Sequence, residues 1–132
     1  MNKTLAQGMT LRLELFVTDL PVSIDFYGRV LEFKQGESHS GGYTPMTKGK
    51  VNLGLNLLST LPDDHPIQAG ADERLGRGVE IVLEVADVAA VYERVLSQNW
   101  PLSAKLQPRP WGLSDFRLKD PDGYYLRITS RE

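Results

Sequence analysis

Charged residues stand at alternate positions of two short apolar segments. Arg12 and Glu14 separate the apolar residues of segment 11–17, and Glu80 opens the same pattern in segment 79–85. Such alternation is typical of a half-buried β-strand, so these side chains share the face turned away from the core. A guanidinium donates charge-assisted hydrogen bonds, and a carboxylate accepts them or acts as a general base. The two segments therefore present groups that could hold a polar ligand.

The C-terminal part adds side chains to the same kind of face. Tyr125 and Arg127 alternate with apolar residues of the last segment, and Arg117 lies in the segment before it. Glu84 extends the charged row of the second apolar segment. A cleft lined by these residues is polar and nearly charge-balanced.

Two interpretations of this charged cleft remain open. The side chains contact a ligand, or they pair with each other where the predicted sheets meet. In the second case Arg12 pairs with Glu80 and Arg127 pairs with Glu14, at matching positions of the two segments. Both can hold at once, because an ion-pair network also presents fixed donors to a polar ligand.

Aromatic residues and histidines offer weaker candidates. Trp111 either borders the groove or packs at the start of a strand, whereas Trp100 is expected to pack in the core. Tyr43 is interpreted as a loop aromatic in a glycine-rich stretch. His39 and His65 are the only histidines, and both are expected to be exposed in loops without the spacing of metal ligands.

Each charged segment leads into a predicted helix. Asp19 is the expected N-cap of a helix that runs to about Leu31, and Asp87 caps a second helix with its own apolar stripe. The order of strand, capping Asp and helix thus occurs twice, which indicates an internal repeat. Further strands are predicted near Phe33, at 43–46, at 51–58, from Pro101, at 115–119 and at 124–129, with a tight turn at 120–123.

The predicted fold class is α+β. Two β-α-β-β-β modules, at about residues 10–58 and 78–131, are joined by residues 59–77 within one domain spanning 1–132. Their strands are expected to form a curved mixed sheet around a cleft lined by the faces away from the helices.

Composition narrows the range of partners. The chain has 132 residues, a net charge of -2 and no cysteine, so neither nucleic acid nor a membrane is an expected partner and no thiolate site is possible. We expect a cytoplasmic protein, since the first ten residues carry no apolar signal segment.

Two parts of the chain carry a family resemblance. Residues 15–27 read L-F-V-T-D-L-P-V-S-I-D-F-Y and residues 30–33 read V-L-E-F, with Glu32 where the family usually has Gly. Residues 110–112 read P-W-G, and residues 120–124 read D-P-D-G-Y. In order and spacing they resemble the vicinal oxygen chelate superfamily of glyoxalase I, bleomycin-resistance and extradiol-dioxygenase proteins, and most of all its bleomycin-resistance-like members.

The resemblance also implies positions for a divalent metal held by His and Glu ligands. These positions fall on Arg12, on Glu80, on Arg127 and near Asn52 or Gly54. An arginine stays protonated and has no lone pair to donate, and one carboxylate does not make a three-ligand site. The family metal is therefore expected to be absent, and no cofactor is expected.

The leading hypothesis is a metal-independent small-molecule binding protein that sequesters a drug or metabolite in a groove of a homodimer, as the resemblance implies. One alternative is a glyoxalase- or dioxygenase-like lyase or isomerase with a rearranged site and Glu14 or Glu80 as general base. Another is an accessory domain that acts through protein contacts. The candidate ligand-binding residues are Arg12, Glu14, Phe16, Asn52, Glu80, Trp111, Arg117, Tyr125 and Arg127.

Overall fold

The chain folds into two successive β-α-β-β-β modules, which confirms the predicted α+β class. The computed structural model describes residues 8–131. The first module contains β1 (Leu13–Val17), α1 (Leu20–Asp25) with a π-helical turn (Phe26–Val30), β2 (Lys34–Gln35), β3 (Thr44–Lys48) and β4 (Val51–Leu57). The second contains β5 (Glu80–Val85), α2 (Val88–Ser97), β6 (Ala104–Pro108), β7 (Ser114–Lys119) and β8 (Tyr125–Ser130). Short 3-10 turns occur at Ser40–Gly42 and Leu58–Thr60.

Each module contributes one four-stranded mixed sheet, with strand orders β1-β4-β3-β2 and β5-β8-β7-β6. The first strand of each module pairs in parallel with the last strand of that module, and the remaining pairs are antiparallel. Within residues 8–131 no strand pairing joins the two sheets. β1 and β5 therefore each have one edge without a neighbouring strand.

Both helices begin at the aspartates that the sequence predicts. The carboxylate of Asp19 accepts a 3.2 Å hydrogen bond from the Val22 amide, and Asp87 accepts one of 3.0 Å from the Ala90 amide. These caps satisfy amide groups that the first helical turn leaves unpaired. After each helix the chain turns through a left-handed residue, Glu32 with φ 60° and Asn99 with φ 56°.

The helix-facing sides of both sheets share one apolar core. The rings of Phe26 and Trp100 lie 4.6 Å apart and join the first helical segment to the end of the second. The indole of Trp100 donates a 2.8 Å hydrogen bond to the Lys119 carbonyl, as expected for a packing residue. Fully buried core residues include Val17, Phe26, Tyr27, Val30, Met46, Leu55, Val95, Phe116, Leu118, Leu126 and Ile128.

The turn between β7 and β8 forms hydrogen bonds with part of the free edge of β1. The Tyr124 hydroxyl accepts from the Phe16 amide at 3.1 Å and donates to the Phe16 carbonyl at 2.8 Å. Next to it, the Thr18 hydroxyl donates to Asp122 at 2.6 Å. Burial raises the pKa of Tyr124 to about 12, so its hydroxyl stays protonated as this double contact requires. The second module thus holds the far end of β1 in place.

Residues 58–79 connect the modules along the surface. The Gln68 amide donates to the carbonyls of Leu58 and Leu61, at 3.3 and 3.2 Å. Within the described range, 8–131, neither helix combines the length and the apolar character needed to cross a membrane.

Candidate functional site

The open face of the first sheet carries Arg12 and Glu14. Their side chains form an ion pair of 3.5 Å, with Arg12 well exposed. Glu14 lies opposite Gly54 in the β1–β4 register, and its carboxylate occupies the space that a side chain at Gly54 would fill. The Tyr43 hydroxyl lies 2.6 Å from the same point. Glycine at position 54 therefore makes room for both side chains.

The open face of the second sheet has two arginines at its centre. Arg117 on β7 lies directly opposite Arg127 on β8, and Val82 on β5 lies on the other side of Arg127. The Nε atom of each arginine is buried and makes no hydrogen bond within residues 8–131. Glu80 approaches Arg127 Nε to 3.5 Å, which makes an ion pair by distance but not a hydrogen bond by geometry. The neighbouring Tyr125 hydroxyl, and then the charge of Glu80, raise the pKa of Arg117.

Beside this pair the face contains a buried salt bridge that the sequence analysis missed. Arg109 Nε donates to Asp115 Oδ1 at 2.7 Å, and the Asp115 side chain is 0% exposed. The other carboxylate oxygen, Oδ2, is buried without a partner among the described residues. The alternation that placed Arg117 on this face places Asp115 there too, so the position of Asp115 was predictable from the sequence. The position of Arg109 was not predictable, because this residue follows an irregular part of β6 where the strand register shifts.

The predicted ion pairs between the modules are wrong. Arg12 pairs with Glu14 instead of Glu80, and Arg127 pairs with Glu80 instead of Glu14. The reason is the sheet topology: β5 and β8 are neighbours in one sheet, whereas β1 belongs to the other. Each of these two ion pairs therefore lies within one module.

The other predicted residues divide between the two faces. Phe16 is half-buried on the first sheet and Asn52 is exposed there, with its amide 3.5 Å from the Lys50 carbonyl. Tyr125 is half-buried on the second sheet, and Trp111, 56% exposed, lies between β6 and β7. The structure thus brings together Glu80, Arg117, Tyr125 and Arg127 on one sheet, and Arg12, Glu14, Phe16 and Asn52 on the other. Within residues 8–131 no side-chain hydrogen bond or ion pair joins the two groups.

Both histidines lie away from these faces. His39 is exposed, with its ring 6.0 Å from that of Tyr43. His65 is half-buried rather than exposed, and its Nδ1 accepts a 3.1 Å hydrogen bond from the Ile67 amide. Neither histidine belongs to a group of three or more potential metal ligands in the part of the chain that the structure describes.

The strand register allows a test of whether a divalent metal fits the positions that the resemblance implies. In the second sheet Arg127 lies opposite Val82, two residues after Glu80. In the first sheet Gly54 lies opposite Glu14, two residues after Arg12, so Gly54 is the equivalent of Arg127. The fourth position therefore falls on Gly54 rather than on Asn52. Two guanidinium groups, a glycine and one carboxylate that is already paired do not make a cation site. Nor do three His, Cys, Asp or Glu side chains gather anywhere in residues 8–131.

A groove that the sequence did not reveal follows the free edge of β5. Its volume is about 810 Å³, and it lies between the β3–β4 hairpin and the start of α2. Leu31, Phe33 and Val51 line it on one side, and Val85 and Val91 on the other. Val82 and Glu84 of the second sheet's open face also line it.

Comparison with known proteins agrees with this architecture. The family model described as the Glyoxalase/Bleomycin resistance protein/Dioxygenase superfamily matches residues 10–128. No curated protein matches the chain. TioX from Micromonospora sp. ML1 is 20% identical, with a TM-score of 0.77 over 95% of this chain and 100% of that one.

Two further structures show the same likeness. A superfamily member from Sphaerobacter thermophilus DSM 20745 is 17% identical, with a TM-score of 0.73 over 96% of this chain and 99% of its own. A lactoylglutathione lyase from Agrobacterium tumefaciens is 17% identical, with a TM-score of 0.70 over 95% and 94% of the two chains. At these identities the likeness establishes the fold alone. With a family model matched over residues 10–128, the chain belongs to the Glyoxalase/Bleomycin resistance protein/Dioxygenase superfamily.

Proposed function

We propose that this chain is a metal-independent small-molecule binding protein that holds its ligand on the open faces of its two sheets. The supporting observation is the set of side chains at the four positions where the superfamily resemblance implies metal ligands. Arg12 and Arg127 are cations there, Gly54 has no side chain, and Glu80 is engaged by Arg127. Such a set repels a divalent cation but offers directed donors to a polar organic ligand.

We further propose that two copies of the chain complete the binding cleft. In one copy the two open faces belong to separate sheets, and no described contact joins their charged residues. Exposed apolar residues flank the first strand of each sheet: Leu11 is 73% exposed and Val79 is 60% exposed. A homodimer would cover these residues and could set the first sheet of one copy beside the second sheet of the other.

We place this function in the cytoplasm, with which a chain without cysteine is compatible. Sequestering a drug or metabolite requires no chemistry beyond binding. A lyase or isomerase with a rearranged site would instead need a general base free to reach a substrate. Glu14 and Glu80 are both already in ion pairs, which favours binding over catalysis.

The test combines three measurements on the purified chain. Light scattering gives the mass in solution, elemental analysis gives bound metal, and tryptophan emission reports ligand binding through the exposed Trp111. The proposal expects a dimer, less than about 0.1 metal ion per chain, and saturable emission changes with small aromatic compounds. One tightly bound metal ion per chain, or no response to a broad panel of compounds, would overturn it.

A further inference from the structure

The two arginines at the centre of the second sheet's open face have hydrogen-bond donors that no group in residues 8–131 accepts. Arg117 and Arg127 stand directly opposite each other on adjacent strands. Like charges in this arrangement repel unless a counter-charge lies between them. The face must therefore either contain that counter-charge or recruit it.

The carboxylates on the face do not supply it in full. Asp115 pairs with Arg109 at 2.7 Å through Oδ1, and its charge also acts on Arg117 but does not supply an acceptor to the Nε atom. Glu80 reaches Arg127 at 3.5 Å without making a hydrogen bond, and its charge acts on Arg117 only at longer range. Two buried Nε–H groups, one on each arginine, remain without an acceptor in residues 8–131. Buried donors on charged groups are rarely left unpaired in proteins, so this site lacks an acceptor.

The neighbouring side chains indicate what surrounds that acceptor. Val82 lies beside Arg127 on β5 and is 39% exposed, and Tyr125 lies along the same strand as Arg127. These neighbours suit a ligand with two parts: an apolar ring or alkyl group that contacts the valine and the phenol, and an acid group that contacts the two guanidinium groups. The planar fork of a guanidinium matches the two oxygens of a carboxylate or of a phosphate.

We infer that the ligand of this face is an organic acid, whose carboxylate or phosphate is held between Arg117 and Arg127. The inference rests on the proposed binding function and gives it a ligand class. The acid group lies between the two guanidinium groups and accepts hydrogen bonds from them, and its apolar body lies over Val82. A cationic ligand, by contrast, would meet two arginines.

Three probes of similar size separate the possible outcomes. Benzoate carries a carboxylate, phenyl phosphate a phosphate ester, and benzylammonium a positive charge. Binding is followed by calorimetry and by tryptophan emission. The inference expects benzoate or phenyl phosphate to bind and benzylammonium not to bind, and the stronger of the two acids identifies the acid group.

Substitutions then locate the site. Arg117→Gln and Arg127→Gln should each weaken acid binding by about tenfold or more, because each removes a charge-assisted contact. Arg117→Lys and Arg127→Lys keep the charge but lose the planar fork, so they should recover only part of the affinity. Arg29→Gln is the charge-matched control: it lies on the helical side, paired with Asp25, and should leave binding unchanged. Circular dichroism confirms that each variant is folded.

The outcomes distinguish this inference from the function on which it rests. If neither acid binds, or if the acids bind equally well to both Gln variants, the anion site is wrong, whereas a response from benzylammonium or from the broad panel still supports a small-molecule binding protein. If none of the three probes binds, and the broad panel also fails, both are wrong.

Discussion

The hydroxyl of Tyr27 donates a 2.8 Å hydrogen bond to Oδ2 of Asp120, and this buried contact joins the two modules. The other oxygen of Asp120 accepts from the amides of Asp122 and Tyr124, both at 2.9 Å. Tyr27 ends the first sequence motif that resembles the superfamily, and Asp120 opens the last one. The two motifs, far apart in sequence, thus form the two sides of one contact.

Tyr27→Phe should destabilise the fold by about 1–3 kcal/mol at neutral pH, because it leaves a buried carboxylate oxygen without its donor. Urea unfolding followed by circular dichroism measures the loss. Tyr92→Phe is a suitable control, since that ring packs against Phe116 and no hydrogen bond of its hydroxyl is found in the described chain. Equal stability of Tyr27→Phe and the parent protein would show that water replaces the phenol.

The cost of Tyr27→Phe should shrink as the solution is acidified. Burial raises the pKa of Asp120 above its ordinary 3.8, while the Tyr27 hydrogen bond opposes that shift. A raised carboxyl pKa contributes stability that is complete below the unfolded value and is lost as pH rises through the folded value. The variant lacks the hydrogen bond, so its Asp120 pKa rises further and it loses more stability over the same range. The difference between the two proteins therefore grows with pH around the Asp120 titration, and a difference independent of pH would contradict this account.

Arg109→Met should lower the free energy of unfolding by about 3–5 kcal/mol, because it leaves the fully buried Asp115 carboxylate without its counter-charge. Adding Asp115→Asn to that variant should restore part of the stability, since the uncompensated charge is then removed. Arg29→Met breaks an exposed pair with Asp25 and should have a much smaller effect. Urea midpoints of the four proteins check the series. Similar losses for the two arginine variants would mean that burial does not set the strength of the Arg109 pair.

Glu32→Gly should stabilise the protein by about 0.5–1 kcal/mol, although it removes a side chain. Glu32 is exposed and has φ 60°, a left-handed conformation that costs an ordinary residue about 1–2 kcal/mol. Glycine avoids that strain. Part of the gain is offset because glycine gives the unfolded chain more conformational freedom. Glu32→Ala keeps the strain and serves as the control, so a gain of the same size with alanine would rule out the backbone explanation. Thermal denaturation resolves differences of this size.

The elements of the fold were largely predictable, because their signals are local. Alternating apolar residues located the strands, and Asp19 and Asp87 located both helix starts. Boundaries were less certain. The predicted strand from Pro101 begins only at Ala104, since proline has no amide and the first ladder contact comes from Ser103 to the Arg117 carbonyl.

The arrangement of charges was less predictable than the elements. Alternation identified Arg117, Arg127 and Glu80 as residues of one face. Which carboxylate meets which guanidinium depends on which strands are neighbours, and a single sequence does not encode this locally. The choice between Asn52 and Gly54 as the fourth implied metal position also required the strand pairing, because it rests on the equivalent register positions of the two modules.

Trp111→Phe should leave stability within about 0.5 kcal/mol of the parent protein while removing most of the acrylamide-quenchable emission. The ring of Trp111 is 56% exposed between β6 and β7, whereas Trp100 packs in the core and donates from its indole to the Lys119 carbonyl. The remaining emission should shift to shorter wavelength, because only the packed indole still fluoresces. This experiment also decides between the two roles that the sequence left open for Trp111. If the variant instead lost 2 kcal/mol or more, a loss on the scale of removing a buried aromatic, Trp111 would be a packing residue and not part of a ligand-facing surface.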